Sequence, residues 1–159
     1  MTNTDITLTS TVTEDLPTLF RFQLDPEARR LAAFMGKDST EEAAYLVKHG
    51  RFLADPTIHS RTIWVDGRIA GSIAKFIMEG EAEITYWIDK KYWGKGIATL
   101  ALKSFLQLEP TRPLKGRVAF DNSGSQRVLE KCGFVRTGTD TGFASERQAE
   151  IEEFIYQLS

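Results

Sequence analysis

The chain has 159 residues, which fits one compact domain and is too short for two of full size. Hydrophobic residues make up 42% and charged residues 26%, values close to the globular average that exclude a disordered or fibrous chain. The 20 basic and 22 acidic side chains give a formal net charge of -2 without a basic block, which argues against a nucleic-acid partner.

Membrane, secretion and metal signals are also absent from the sequence. No apolar run approaches the ~18 to 20 residues of a spanning helix, and the first ten residues lack the basic and apolar segments of a secretory signal. One cysteine, Cys132, and two separated histidines, His49 and His59, offer no metal-ligand spacing. We therefore expect a single cytoplasmic domain, 1–159, with no metal and no membrane partner.

The first third of the chain combines one strand signature with two helical ones. Proline disfavours a helical conformation in the residue before it, so Asp25-Pro26 should break the first helix. Ser39 followed by Glu42 is a capping-box sequence. The predicted elements are, in chain order, a strand at Ile6–Val12, a helix from Thr13 that breaks at Asp25-Pro26, and a helix from Ser39 to about Phe52.

The rest of the chain begins with β signatures and then alternates between strand and helix. Asp66-Gly67 is the dipeptide that best suits a type I′ turn between two strands. The predicted elements are antiparallel strands at Ile58–Val65, Arg68–Met78 and Ala82–Ile88, a helix from Ile97 to Leu108, a strand at Lys115–Phe120, a short helix at Asn122–Lys131, and closing strands at Phe134–Thr137 and Glu150–Leu158.

A glycine-containing segment, 93–98, joins a predicted strand to a predicted helix. This order directs free backbone N–H groups and the positive end of the helix dipole at one point, which attracts phosphate. Gly94 and Gly96 allow an anion to approach the backbone. Lys95 between the glycines does not fit a nucleoside-triphosphate P-loop, and Thr99 stands where a dinucleotide fingerprint needs glycine or alanine. The pyrophosphate of coenzyme A is the third candidate.

Two stretches carry a resemblance to one family. Trp93-Gly94-Lys95-Gly96-Ile97-Ala98 is similar to the Gln/Arg-Gly-x-Gly-x-Gly/Ala signature of the GNAT superfamily of acetyl-CoA-dependent N-acetyltransferases. Its initial tryptophan departs from that signature and resembles the branch that acetylates N-terminal residues of ribosomal proteins. Residues 122–134 also resemble that branch's Asn-x-x-Ser-x-Arg-Val-Leu-Glu-Lys-x-Gly-Phe motif.

The resemblance extends over nearly the whole chain and implies a fold and a cofactor. The fold is α/β, a GNAT-like domain whose mixed, mostly antiparallel central sheet is flanked by helices on both faces and splays open to hold acetyl-CoA. Lys95 has the ordinary alternative of an exposed loop lysine, and Asn122 that of a helix cap. The implied acetyl-CoA-binding residues are Trp87, Ile88, Trp93, Gly94, Lys95, Gly96, Ile97, Ala98, Asn122 and Ser125.

Three residues are candidates for catalysis. Glu83 resembles a glutamate that acts as general base through water, with a salt-bridged strand residue as the alternative. Ser125 matches the motif serine, whose hydroxyl could protonate the departing thiolate, or it packs a helix against the sheet. Leu129 stands where many members have a tyrosine, and Tyr86 could replace that acid or simply pack. We expect Ser125 and the strand backbone to contribute more than Glu83.

The expected activity is acetyl transfer to a primary amine, most readily a peptide or small-molecule α-amine. At pH 7 an α-amine with a pKa near ~7.7 to 8 is far more often neutral than a lysine with a pKa near ~10.4. A catalytically weak CoA-binding regulatory or interaction protein is the alternative, because Leu129 removes one acid. The expected partner is the amine acceptor, with a homodimer left open.

Overall fold

The computed structural model describes residues 5–37 and 39–159, so residues 1–4 and 38 of the predicted domain lie outside the described part. The strands are β1 (Ile6–Ser10), β2 (His59–Val65), β3 (Arg68–Met78), β4 (Glu81–Ile88), β5 (Leu114–Ala119), β6 (Val135–Ala144) and β7 (Ala149–Leu158). The α-helices are α1 (Leu16–Phe22), α2 (Pro26–Ala32), α3 (Glu42–Ala54), α4 (Ile97–Leu108) and α5 (Ser123–Lys131). Turns of 3-10 helix at Thr13–Asp15 and Lys90–Tyr92 precede α1 and the glycine segment.

The strands form one mixed sheet in the order β1-β2-β3-β4-β5-β7-β6. Neighbouring strands are antiparallel except for β4 and β5, which are parallel. Within the described strands, β4 and β5 pair at Glu83 with Lys115 and at Ile84 with Gly116, and they separate beyond these two pairs. The mixed, mostly antiparallel sheet and its splayed centre are therefore confirmed.

Helices α4 and α5 cover one face of the sheet. The apolar spacing of α4 buries Ile97, Leu102 and Phe105 in one cluster with Ile84 of β4 and Val118 of β5. Burying side chains of this size contributes about 1.5 to 3 kcal/mol each. The main core thus lies between these helices and the sheet, and it fixes where α4 begins.

Helices α1 and α2 cover the opposite face. The indole nitrogen of Trp87 on β4 donates a hydrogen bond to the carbonyl of Phe22 at 3.3 Å. A second, smaller cluster joins Ala33 after α2 to Ala119 of β5 and Ala144 of β6. Helices therefore flank both faces, as predicted. Of the helices formed by residues 5–37 and 39–159, none combines the length and apolar character needed to cross a membrane.

Two local signals are confirmed in detail. The β2–β3 hairpin turns at Asp66 and Gly67, whose φ values are 50° and 80°, the two positive values that a type I′ turn requires. The first helical region breaks as expected: α1 ends at Phe22, and Asp25 begins α2 by accepting a hydrogen bond from the Ala28 N–H at 2.9 Å.

Two predicted boundaries are wrong by three residues or more, and β1 ends at Ser10 instead of Val12. Helix α3 begins at Glu42, without a side-chain cap from any described residue, because the Ser39 hydroxyl instead accepts a hydrogen bond from the Arg29 guanidinium at 2.8 Å. Strand β6 does not end at Thr137 but continues to Ala144, because antiparallel pairing with β7 extends along its whole length.

Candidate active site

A cavity of about 1550 Å³ opens where β4 and β5 separate. Its lining includes Ser125 and Val128 of α5 on one face of the sheet, and Phe22 and Met35 near the helices on the other. Because both faces contribute, the cavity runs through the sheet. The cavity is therefore lined both by the glycine segment and by residues on the opposite face of the sheet.

The glycine segment ends at the N-terminus of α4, which no side chain in the described part of the chain caps. Gly94 and Gly96 have φ values of 77° and 75°. A Cβ added at either glycine would meet no described atom within 4 Å, so both point into open space. The first intrahelical bond runs from the Leu100 N–H to the Gly96 carbonyl at 3.1 Å, so the N–H groups of 97–99 precede it. This arrangement fits an anion such as a pyrophosphate.

Three other residues of the segment differ in how they could meet a ligand. Trp93 is anchored, since its indole nitrogen donates a hydrogen bond to the Ile88 carbonyl at 2.9 Å. Ile97 is buried in the main core, so only its backbone is available. The Lys95 amine lies 5.8 Å from the ring centroid of Tyr92, and Lys95 stands outside the cavity lining, consistent with an exposed loop lysine.

Tyr86 and Ser125 meet inside the cavity. The hydroxyl groups are 2.6 Å apart, joining β4 to the first turn of α5 across the opening. Burial raises the pKa of Tyr86 to about 12, against the opposing effect of its hydrogen bond with Ser125. The phenol therefore holds its proton throughout the physiological pH range. The structure thus brings together two of the three catalytic candidates.

Asn122 acts as the N-cap of α5. Its side-chain oxygen accepts a hydrogen bond from the Ser125 N–H at 3.3 Å, and its amide nitrogen donates to the Leu31 carbonyl at 3.4 Å. Asn122 also lines the cavity. The cap fixes the backbone that carries the Ser125 hydroxyl, so Asn122 contributes to the site through position.

Glu83 forms an ion pair instead of facing the cavity. Its carboxylate lies 3.4 Å from the Arg117 guanidinium, which also contacts Glu153 at 2.9 Å and Asp140 at 3.3 Å. Burial raises the pKa of Glu83, while Arg117 acts in the opposite direction. Arg117 and Glu153 line the cavity, and Glu83 stands outside its lining. Three carboxylates thus surround one guanidinium, and only Arg117 and Glu153 of this cluster reach the cavity lining.

Arg117 and Glu153 were missed at the sequence level. Both lie on the same face of the sheet as Glu83, because Lys115 is paired with Glu83 and Arg117 is opposite Ile155, two residues from Glu153. The spacing of Lys115 and Arg117 on β5 is a signal for Arg117, whereas the adjacent Glu152 and Glu153 give no alternation that would single out Glu153. Only the order of β4, β5 and β7 in the sheet shows that these charges meet.

A row of aromatic side chains from α3 lines one part of the cavity. The rings of Tyr45 and His49 are stacked with centroids 3.9 Å apart, and Phe52 meets His49 edge-on at 5.2 Å. Burial, with a smaller effect from the charge of Lys48, lowers the pKa of His49 to about 4. His49 is therefore neutral at pH 7 and extends an uncharged wall. Within residues 5–37 and 39–159, no group of three or more His, Cys, Asp or Glu side chains could hold a metal ion.

Comparison with known proteins identifies the family. Residues 5–135 match the family described as acetyltransferase (GNAT) domain. The chain belongs to this family.

Individual relatives extend the comparison. The chain is 38% identical over 82 residues to Probable N-acetyltransferase YjcK of Bacillus subtilis (strain 168), a match covering 46% of this chain and 45% of the relative, which is less than half the length of either. Two solved structures share the fold. One is RimL, a ribosomal L7/L12 alpha-N-protein acetyltransferase in complex with coenzyme A, with a TM-score of 0.80, 17% identity and coverage of 96% of this chain and 93% of that one. The other is the ribosomal-protein-S5-alanine acetyltransferase from Vibrio fischeri, with a TM-score of 0.76, 15% identity and coverage of 96% and 92%.

Proposed function

We propose that the protein transfers the acetyl group of acetyl-CoA to a primary amine, a peptide or small-molecule α-amine. The observation that carries the proposal is the opening between β4 and β5, because one cavity contains the uncapped start of α4, the inner edge of β4 and the Tyr86–Ser125 hydroxyl pair. Membership of the GNAT acetyltransferase family and the CoA complex of RimL support the same cosubstrate.

The cosubstrate would be held mainly by backbone groups. The N–H groups of 94–98 would bind the pyrophosphate, since the Trp93 N–H already donates to the Lys90 carbonyl at 3.0 Å. The positive charge of Arg127 and Lys131, which line the cavity from α5, would add to this binding. The backbone of β4 at Ile88 would pair with the pantetheine arm and face the thioester oxygen, whereas the neighbouring Trp87 carbonyl lies against Gly71 of β3. Lys95 stands outside the cavity lining, so its proposed role is limited to a charge contact near the phosphates.

The reaction forms a C–N bond and breaks the C–S bond of the thioester, so the amine loses a proton and the CoA sulfur gains one. Ser125 would donate that proton to the sulfur. The Tyr86 hydroxyl, 2.6 Å from the Ser125 hydroxyl, would return a proton to Ser125 and recover one from water, while the proton lost by the amine passes to water. Because Tyr86 has a pKa of about 12, it remains a donor at every working pH.

The acceptor would approach from the face covered by α1, α2 and α3. The carboxylates of Glu83, Glu153 and Asp140 outnumber the Arg117 guanidinium beside them, which favours a cationic acceptor on approach. Holding amine and thioester together supplies much of the rate, as much as ~7 to 11 kcal/mol of the barrier, so a dedicated base is not essential. An α-amine, partly neutral at pH 7, suits such a site.

The test is release of free CoA thiol from acetyl-CoA in the presence of peptide α-amines, lysine peptides and polyamines. Turnover that depends on the added amine, together with acetylated product detected by mass spectrometry, is the expected result. Tight binding of CoA without amine-dependent thiol release would favour the regulatory alternative. Failure to bind CoA at all would remove both.

A further inference from the structure

The segment after α2 forms a strained turn at the mouth of the cavity. Ala33 has a φ of 66° and a ψ of -51°, and the Phe34 N–H donates a hydrogen bond to the Ala32 carbonyl at 2.7 Å. This is the rare γ-turn with positive φ, which alanine adopts only under constraint. Such strained residues concentrate at ligand sites, where the surrounding structure enforces them.

The constraint comes from the connection between β6 and β7. The Ala33 carbonyl accepts a hydrogen bond from the Glu146 N–H at 3.0 Å. The Ser145 hydroxyl accepts from the Met35 N–H and donates to the Met35 carbonyl, both at 3.1 Å. Ala33 itself is fully buried in the small alanine cluster. The backbone on both sides of Phe34 is therefore held, and the direction of its side chain follows from it.

Phe34 presents an aromatic ring to the cavity. Its side chain lines the cavity yet is still 36% exposed, and its ring edge lies 3.5 Å from the position a Cβ would take at Gly142 of β6. Phe22, Phe76 and Met78 add further apolar lining. An exposed ring beside an apolar wall offers surface that a ligand can cover.

The Glu153 carboxylate, which contacts Arg117 at 2.9 Å, lies on the same face of the sheet as this apolar surface. Gly142, which the Phe34 ring faces, pairs with Ile151 of β7, and Glu153 is two residues further along the same strand face. Two residues along a strand span about 7 Å. An amine with an apolar group on its α-carbon could contact both, its ammonium near Glu153 and its side chain against Phe34.

We propose that Phe34 determines acceptor specificity, and that the acceptor is a primary amine with an apolar or aromatic substituent on the carbon next to the nitrogen. The proposal rests on the acetyltransferase function proposed above. A polyamine would place a second cation against the apolar wall. An acceptor with an anionic side chain would place that charge against the same apolar wall. Both are disfavoured by the same lining.

The experiment compares acceptors that differ only in the side chain: phenylalaninamide, serinamide and the α-amide of glutamate, each also as the first residue of an otherwise identical tripeptide amide. We expect kcat/KM to favour phenylalanine over serine by about 10- to 200-fold, the range that apolar pockets reach. The Phe34→Ala substitution should remove most of this preference, and Phe34→Leu should retain part of it. The tripeptides distinguish a peptide acceptor from a small amine.

Phe143→Ala is the matched control, because Phe143 is a 58% exposed aromatic residue on β6 outside the cavity lining. It should leave the preference intact. Equal efficiency on all three acceptors, or an unchanged preference in Phe34→Ala, would overturn the proposal. If no amine supports thiol release, the proposed acetyltransferase function fails independently of the subsite. Calorimetry on the CoA-saturated protein then tests the subsite alone. Phenylalaninamide binding that Phe34→Ala weakens would support it, and no phenylalaninamide binding would overturn it.

Discussion

The indole N–H of Trp93 donates to the carbonyl of Ile88 at 2.9 Å, which joins the glycine segment to the last residue of β4. The edge of β4 and the glycine segment are both proposed to bind acetyl-CoA, and this hydrogen bond joins them. The tryptophan that departs from the family signature has a structural role of its own here. It holds the loop at a fixed distance from the opening of the sheet.

Trp93→Phe tests this relationship. The substitution keeps an aromatic ring but removes the donor, which should cost about 0.5 to 1.5 kcal/mol and weaken CoA binding roughly 3- to 10-fold. Trp64→Phe is the control, since the Trp64 indole donates to the Thr9 hydroxyl at 2.7 Å on β2, away from the cavity. Calorimetry with CoA measures both. Equal affinity in the two variants would show that the bond does not position the loop.

Gly96→Val should obstruct the pyrophosphate site. A β-branched residue at a φ of 75° is strained by about 1 to 3 kcal/mol, and its side chain would occupy the space an anion needs. Gly67→Val places the same strain at a φ of 80° in the β2–β3 turn. We expect similar losses of thermal stability in both variants, but CoA binding weaker by about tenfold or more only in Gly96→Val. Unchanged CoA affinity in folded Gly96→Val would contradict this placement.

Ser125→Ala should lower kcat by about 10²-fold or more, the contribution of a positioned acid, whereas Glu83→Ala should lower it far less. Tyr86→Phe should act on the same step, so its effect and that of Ser125→Ala should not add. Steady-state kinetics of the single and double variants give the comparison. If Glu83→Ala abolishes turnover while Ser125→Ala leaves it intact, a water-mediated base mechanism replaces this one.

The α-amine preference can be measured with two matched peptides, one with a free N-terminus and no lysine, the other N-terminally blocked with one lysine. The difference of ~2.5 units in amine pKa makes the α-amine several hundredfold richer in its neutral form at pH 7, equivalent to ~3.4 kcal/mol. We expect kcat/KM to follow that ratio. An equal or greater kcat/KM on the blocked lysine peptide would contradict the α-amine preference and would support Glu83 as the general base.

His49 should make the protein less stable in mild acid. Its pKa is lowered from 6.5 to about 4 in the folded state, so the unfolded chain binds the proton more readily. The contribution of His49 to the free energy of unfolding is therefore fully present above pH 6.5. It is lost as the pH falls towards 4, by on the order of 1 to 2 kcal/mol after solvent screening. Urea unfolding midpoints from pH 7 to pH 4 should fall less steeply in His49→Phe than in the unmodified protein. Parallel slopes would be the opposing result.

Signals that act within a few residues were sufficient for much of the fold. The type I′ turn at Asp66-Gly67 needs only two residues with positive φ, and the break at Asp25-Pro26 follows from the proline ring. The apolar spacing from Ile97 to Leu108 gave the bounds of α4 because the glycine segment and Pro110 limit it on both sides. These features depend on local chemistry.

Features that depend on distant partners could not be predicted in this way. Ser39 does not cap α3, because its hydroxyl accepts a hydrogen bond from Arg29 instead. Strand β6 continues past Thr137 because β7 pairs with it. Tyr86 and Ser125 are 39 residues apart in sequence, and only the position of β4 beside α5 brings their hydroxyls together. The γ-turn at Ala33 has no local signature, because the connection between β6 and β7 enforces it.

The separation of β4 from β5 also bears on how the fold is held together. Within the described strands, the sheet consists of two halves, β1–β4 and β5–β7, joined by two residue pairs. Each half therefore has a strand edge at the centre of the molecule instead of at its rim, and such an edge accepts an extended, amide-bearing ligand as it would accept another strand. Pantetheine is a chain of that kind. A bound cosubstrate would therefore occupy the position of a missing strand between the two halves.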